Sequence, residues 1–121
     1  MFLKLNHQKL DIYNYSQAFV LECYKVSKQL PDYEKFGMVS QIRRAALSVH
    51  LNIAEGASRK SQTERKRFYE ISRSSIVEID AALDIANELE YLNNHDTSKL
   101  GEAMIRCFKI LTGLIASQIK H

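Results

Sequence analysis

The chain has 121 residues, 45% of them hydrophobic and 26% charged, with a formal net charge of +3. That length fits one domain, and that apolar share excludes global disorder. Four glycines and one proline are too few breakers for a β-rich fold with many tight turns, so the composition points to a few long helices joined by short connections.

Residues 1–10 read as a partly ordered N-terminal arm without the apolar run of a secretory leader. The first helix is expected over about 12–30. Ile12, Tyr15, Phe19, Cys23, Val26 and Leu30 recur at helical spacing and form one apolar stripe. Pro31 stops it, because the residue before a proline is pushed out of the α region. The second helix is expected over about 35–55, with Met38, Ile42, Ala45, Val49 and Ile53 as its stripe. The small residues Ala45 and Ala46 invite close approach of a neighbour, and Gly56 suits a left-handed residue closing the helix.

The third helix is expected over about 61–92. Ser61-Gln62-Thr63-Glu64 is a capping box, in which the serine bonds the third amide and the glutamate reaches back. Phe68, Ile71, Ser75, Ile79, Ala82, Ala86 and Leu89 form its stripe. At its expected length of about 45 Å it exceeds neighbours of about 30 Å, so one end is expected to project. The fourth helix is expected over about 98–119, carrying Leu100, Met104, Cys107, Leu111 and Leu114. Short connections make consecutive helices antiparallel, so the fold class is all-α: a single antiparallel up-down-up-down four-helix bundle over 1–121. Cys23 and Cys107 lie on apolar stripes without metal-type spacing and read as reduced core thiols of a cytoplasmic protein. No stretch approaches the roughly 20 apolar residues of a membrane span, so no membrane partner is expected.

Motifs for catalysis are sparse. Helical-bundle di-metal sites need Glu-x-x-His pairs. Here no glutamate has a histidine three residues on, and His7, His50, His95 and His121 lie on separate elements. Neither a glycine-rich phosphate loop nor a Gly-x-Ser-x-Gly elbow is present. No metal, cofactor or catalytic residue is therefore assigned, and the chain is not expected to be an enzyme. One enzymatic alternative remains. Arg43 or Arg44 with His50 resembles, at loose spacing, the pair of HEPN-type ribonucleases, in which the histidine moves a proton at a ribose hydroxyl and the arginine holds the phosphate.

Charge is segregated along the chain. Residues 43–73 carry eight basic and three acidic side chains, and residues 74–102 carry seven acids against Lys99 alone. Arg59, Lys60, Arg65, Lys66 and Arg67 crowd the start of the third helix, where the helix dipole favours acids. Folding supplies no reason for that crowding, whereas a phosphate backbone would use both the cations and the free amides. These five, with Arg43 and Arg73, are the candidate nucleic-acid-binding residues, and Tyr69 is the candidate for base stacking. The bland alternative is a solvated helix face with local pairs such as Lys66–Glu70 and Glu70–Arg73. Asp80, Asp84 and Glu88 repeat every four residues, an acidic stripe suited to a protein-interaction scaffold. A hairpin turning about residue 58 would bring Arg44, Asn52, Glu55, Ser75 and Glu78 together as an interior polar network that fixes helix register.

Gln41-Ile42-Arg43-Arg44-Ala45-Ala46-Leu47-Ser48, followed by Asn52-Ile53-Ala54-Glu55-Gly56 and by Phe68 through Glu78, resembles a known family. These segments are similar to proteins encoded by intervening sequences within bacterial 23S rRNA genes. The resemblance runs from about Leu10 to the C-terminus. His50 stands where that family has proline, and Ser74 where it has glycine. The resemblance implies a four-helix bundle assembled with itself, a homopentamer being the usual form. It also implies kinship with the accessory variability proteins of diversity-generating retroelements, and hence RNA or DNA and a nucleic-acid-processing protein as partners.

Overall fold

Four amphipathic segments become four α-helices in the computed structural model, which describes residues 2–5 and 10–118. They are α1 (Asp11–Ser27), α2 (Met38–Ala57), α3 (Gln62–Glu88) and α4 (Ser98–Ser117). The arm at residues 6–9, the expected helix end at Ile119, and His7 and His121 lie outside the described residues.

Each helix packs on two neighbours, in the cyclic order α1, α2, α3, α4. Among the described residues the diagonal pairs, α1 with α3 and α2 with α4, do not meet. Cross-helix partners run in opposite directions. Val49 meets Ser72 while Gln41 meets Glu78, Ser16 meets His50 while Ser27 meets Arg43, and Arg65 meets Gln118 while Arg73 meets Thr112. Consecutive helices are thus antiparallel. The α2–α3 connection lies at the same end of the bundle as the start of α1 and the end of α4. The α1–α2 and α3–α4 connections lie at the other end.

The core is formed by Phe19 and Cys23 of α1, Ile42, Val49 and Ile53 of α2, Ile76 and Ile79 of α3, and Cys107 and Leu111 of α4, all at most 1% exposed. Four serines are buried among them, each with a hydrogen bond. Ser72 Oγ donates 2.7 Å to Val49 O across the α2–α3 seam, which satisfies a hydroxyl that would otherwise destabilise the core.

Several boundaries differ from expectation for local reasons. α1 ends at Ser27, and residues 28–30 form a turn that still buries Leu30. α2 begins at Met38 rather than Lys35, because Asp32–Glu34 forms a 3-10 turn and Glu34 Oε1 accepts from Met38 N at 3.2 Å. Gly56 does not close α2 in a left-handed conformation; it lies inside the helix, and no glycine has a positive φ. Its service is steric: a Cβ there would lie 2.9 Å from Tyr69 Cε1 and 3.0 Å from Phe68 Cβ. α2 runs unbroken through His50, where the resembling family has proline.

α3 stops at Glu88, short of Leu92. Glu90 adopts φ 66°, Tyr91 N donates to Ala86 O at 3.0 Å and Glu90 N to Asn87 O at 2.9 Å. That is a Schellman closure with a glutamate at the left-handed position usually held by glycine. At 27 residues α3 is about 40 Å long, against about 30 Å for α2 and α4. Its buried stripe is also rotated: Tyr69, Ser72, Ser75, Ile76, Ile79 and Ala86 face inward. Ile71 and Leu89, expected in the core, are 38% and 49% exposed.

Candidate nucleic-acid interface

The cap of α3 places the basic cluster. Ser61 Oγ accepts from Glu64 N at 3.3 Å, the serine half of the capping box. The first turns of α3 then present Arg65, Lys66 and Arg67 beside Arg59 and Lys60 of the connection. Arg59, Lys60 and Arg67 are exposed, and Arg65 and Lys66 are half-buried.

The five cations differ in what they already hold. Arg65 is committed to the fold. Its Nη1 donates to Lys60 O at 2.6 Å and Arg59 O at 3.0 Å, and its Nε donates to Gln118 Oε1 at 2.8 Å. It thereby ties the α2–α3 connection to the end of α4. Arg59 pairs with Glu55 at 2.9 Å, and its guanidinium lies 5.0 Å from the centre of the Phe68 ring. Arg67 flanks the same ring at 6.0 Å. Among the described residues, Arg59–Glu55 is the one ion pair at this end of the bundle. Among the described residues, Lys60, Lys66 and Arg67 have no salt-bridge partner.

Arg43 and Arg73 are on opposite sides of the bundle and not at this end. Arg43 Nε donates to Ser27 Oγ at 2.8 Å, with its guanidinium 4.8 Å from the Tyr24 ring on the α1–α2 side. Arg73 Nη1 donates to Thr112 Oγ1 at 3.2 Å, and its guanidinium lies 5.8 Å from the Phe108 ring on the α3–α4 side. Tyr69 does not offer a stacking face: it is 3% exposed, and burial pushes its hydroxyl above the ordinary phenol range, with Arg65 pulling the other way. Its ring fills the space left by Gly56.

The expected polar network divides. Asn52 Nδ2 donates to Ser48 O at 2.8 Å and to Ser48 Oγ at 3.1 Å, and Ser75 Oγ lies 2.9 Å from Ser48 Oγ. Asn52 and Ser75 therefore meet through Ser48. Arg44, Glu55 and Glu78 are exposed, with Glu78 accepting from Gln41 and Glu55 paired to Arg59. These pairings centre the α2–α3 hairpin near residue 61 rather than 58, and that shift separates the expected members.

His50 is half-buried and lies in contact with α1. Ser16 Oγ lies 2.7 Å from His50 Nδ1 and 3.0 Å from Tyr13 O, so one hydroxyl joins the imidazole to α1. The His50 ring also packs against the Tyr13 ring, with centres 4.5 Å apart and planes tilted by 45°. Arg43 lies two helical turns away, about 10 Å along α2, and is held by Ser27. Of the ribonuclease-like set, Arg43 and His50 engage different parts of α1, and Arg44 is exposed on α2. Among the described residues no group of three or more His, Cys, Asp or Glu side chains is arranged to hold a metal ion. No described helix is long and apolar enough to cross a membrane.

An all-α bundle with a cationic end and no metal cluster among its described residues defines the class. The family model for the 23S rRNA-intervening sequence protein matches residues 8–113. The chain belongs to that family. A search of curated proteins returned no match.

Proposed function

We propose that this protein is a non-enzymatic, cytoplasmic homo-oligomer that binds the phosphate backbone of RNA or DNA through the α2–α3 end of its bundle. The observation that carries the reading is the trio Lys60, Lys66 and Arg67, which have no salt-bridge partner among the described residues and lie beside the N-terminus of α3. There the free amides and the helix dipole add to the attraction for an anion. Arg59 contributes a partly compensated charge, and Arg65 acts by shaping the connection. With Tyr69 buried, recognition at this end runs through phosphates and is sequence-independent.

Support for self-association comes from apolar side chains outside the core. Val77 and Ile105 are 54% and 57% exposed, and Phe108 is 38% exposed. They line a groove of about 330 Å³ between α3 and α4, with Asp80 and Lys109 at its rim. A pentamer would repeat the cationic end five times around one axis, and the acidic stripe of α3 would face a nucleic-acid-processing partner. The test is fluorescence anisotropy with a mixed-sequence duplex. A Lys60/Lys66/Arg67→Ala variant is expected to bind at least about tenfold more weakly at low salt with an unchanged melting temperature. Equal binding by the variant removes this end from the account.

A further inference from the structure

The far end of the bundle holds a second cationic site of different character. A cleft of about 160 Å³ opens between the end of α1 and the start of α2, lined by Lys28, Lys35 and Arg43 together with Ser27 and Asp32. Its volume is several times that of a water molecule, about 30 Å³, and admits a phosphate group. Three cations against one carboxylate leave it positive. Arg43 is oriented in advance: Ser27, only 1% exposed, accepts from its Nε at 2.8 Å, and the Tyr24 ring supports its guanidinium at 4.8 Å. Ser27 Oγ in turn donates to Tyr24 O at 2.8 Å, which fixes its lone pairs toward the arginine. Among the described residues the terminal amino groups of Arg43 carry no hydrogen bond and remain available for bidentate contact with an anion.

Beside this cleft lie the two most exposed aromatic rings of the ordered connection. Phe36 is 90% exposed and Tyr33 78% exposed. Lys35 links Phe36 to the cleft: it lines the cavity and has its Nζ 5.5 Å from the Phe36 ring centre. Exposure of a whole phenylalanine ring costs about 2 kcal/mol of forgone burial, and packing in this chain gives it no return. The connection itself is anchored. Glu34 caps Met38 N and accepts from Tyr91 Oη at 3.0 Å, and Tyr33 meets the Tyr91 ring edge-on at 6.2 Å. The rings are thus presented on a fixed support.

We propose that this end binds single-stranded nucleic acid, with one phosphate held by Arg43, Lys28 and Lys35 and an adjoining base stacked on Phe36. A duplex keeps its bases paired and stacked, so the aromatic platform selects unpaired strands. The site is separate from the cationic α2–α3 end and does not depend on it.

The probe is fluorescein-labelled oligothymidylate, which has no secondary structure, compared with a mixed-sequence duplex carrying the same dye. Phe36→Ala is expected to weaken oligothymidylate binding about tenfold and leave duplex binding unchanged. Arg43→Gln and a Lys28/Lys35→Gln double variant should weaken oligothymidylate binding to a similar degree. The Lys60/Lys66/Arg67→Ala variant should lose the duplex and keep the share of oligothymidylate binding that Phe36→Ala removes. The exposed positions of Phe36, Lys28 and Lys35 leave folding intact, and thermal melts check this. Oligothymidylate binding equal to wild type in both Phe36→Ala and the double lysine variant, or no binding by the wild type, overturns the proposal whatever the duplex does.

Discussion

Replacing Gly56 by alanine tests the closest approach in the bundle. The position is helical, so the added methyl raises helix propensity by about 1 kcal/mol relative to glycine. Against this, the new Cβ would lie 2.9 Å and 3.1 Å from two carbons of the Tyr69 ring and 3.0 Å from Phe68 Cβ. Carbon pairs prefer about 3.5–4.0 Å. Neither neighbour yields easily: Tyr69 is 3% exposed and enclosed, and the Phe68 Cβ moves only with the backbone of α3. Overpacking of this kind costs about 1–3 kcal/mol. The net expectation is a loss of about 1 kcal/mol, seen as a fall of about 3–5 °C in melting temperature. Gly101→Ala and Gly113→Ala are the controls. Both glycines are in α4, and a Cβ at either meets nothing within 4 Å, so propensity alone should act and raise stability by about 0.5–1 kcal/mol. Urea denaturation of the three variants gives the signs directly. A Gly56→Ala variant as stable as Gly101→Ala would refute the tight α2–α3 contact and the placement of the connection that depends on it.

Glu90→Gly should raise stability by about 1 kcal/mol in the same assay, because φ 66° strains a residue with a Cβ and suits glycine. Arg65→Gln should lower the melting temperature through lost hydrogen bonds worth about 1–2 kcal/mol, whereas Lys66→Gln should leave it unchanged. Burial pushes the Cys23 and Cys107 thiols up from 9.0 to about 12, so the folded chain keeps protons that the unfolded chain releases. Stability should hold below pH 9 and then fall through the window from 9 toward 12, by about 1.4 kcal/mol per thiol per pH unit. A Cys23/Cys107→Ala variant should lose that part of the decline, which denaturation at pH 8 and pH 10 measures.

The four helices were legible because apolar residues at helical spacing have no other low-energy arrangement in a chain this poor in glycine and proline. The stripes of α1, α2 and α4 follow the sequence pattern closely. α3 is different because it is apolar on more than one face. Ile71, Val77, Ile85 and Leu89 are exposed, and periodicity alone does not tell a core face from a second apolar face. The serines that line the α2–α3 seam look polar in a sequence and are core in the structure. Glu90 breaks α3 in the middle of an apolar run, Leu89 to Leu92, where composition carries no stop signal.

The cationic end was legible as a charge cluster, but its internal division of labour was not. Arg65 differs from Lys66 and Arg67 in the connection carbonyls and the Gln118 amide oxygen that folding brings to it. Arg43 and Arg73 were grouped with the cluster by proximity in sequence, and the turn of α2 and α3 carries them to opposite sides. Phe36 was hidden for another reason. A helix starting at Lys35 would have absorbed it, whereas the 3-10 turn at Asp32–Glu34 delays α2 until Met38 and leaves the ring in solvent.

The central claim is that cations at the α2–α3 end meet phosphates, and its most direct measurement is the slope of log affinity for duplex against log salt concentration. Each phosphate neutralised contributes about −0.9 to that slope. Removing Lys66 and Arg67 should therefore flatten it by about 1.8 or more, more if several subunits contact one duplex. A slope that is equally steep in wild type and variant, or flat in both, would contradict the account.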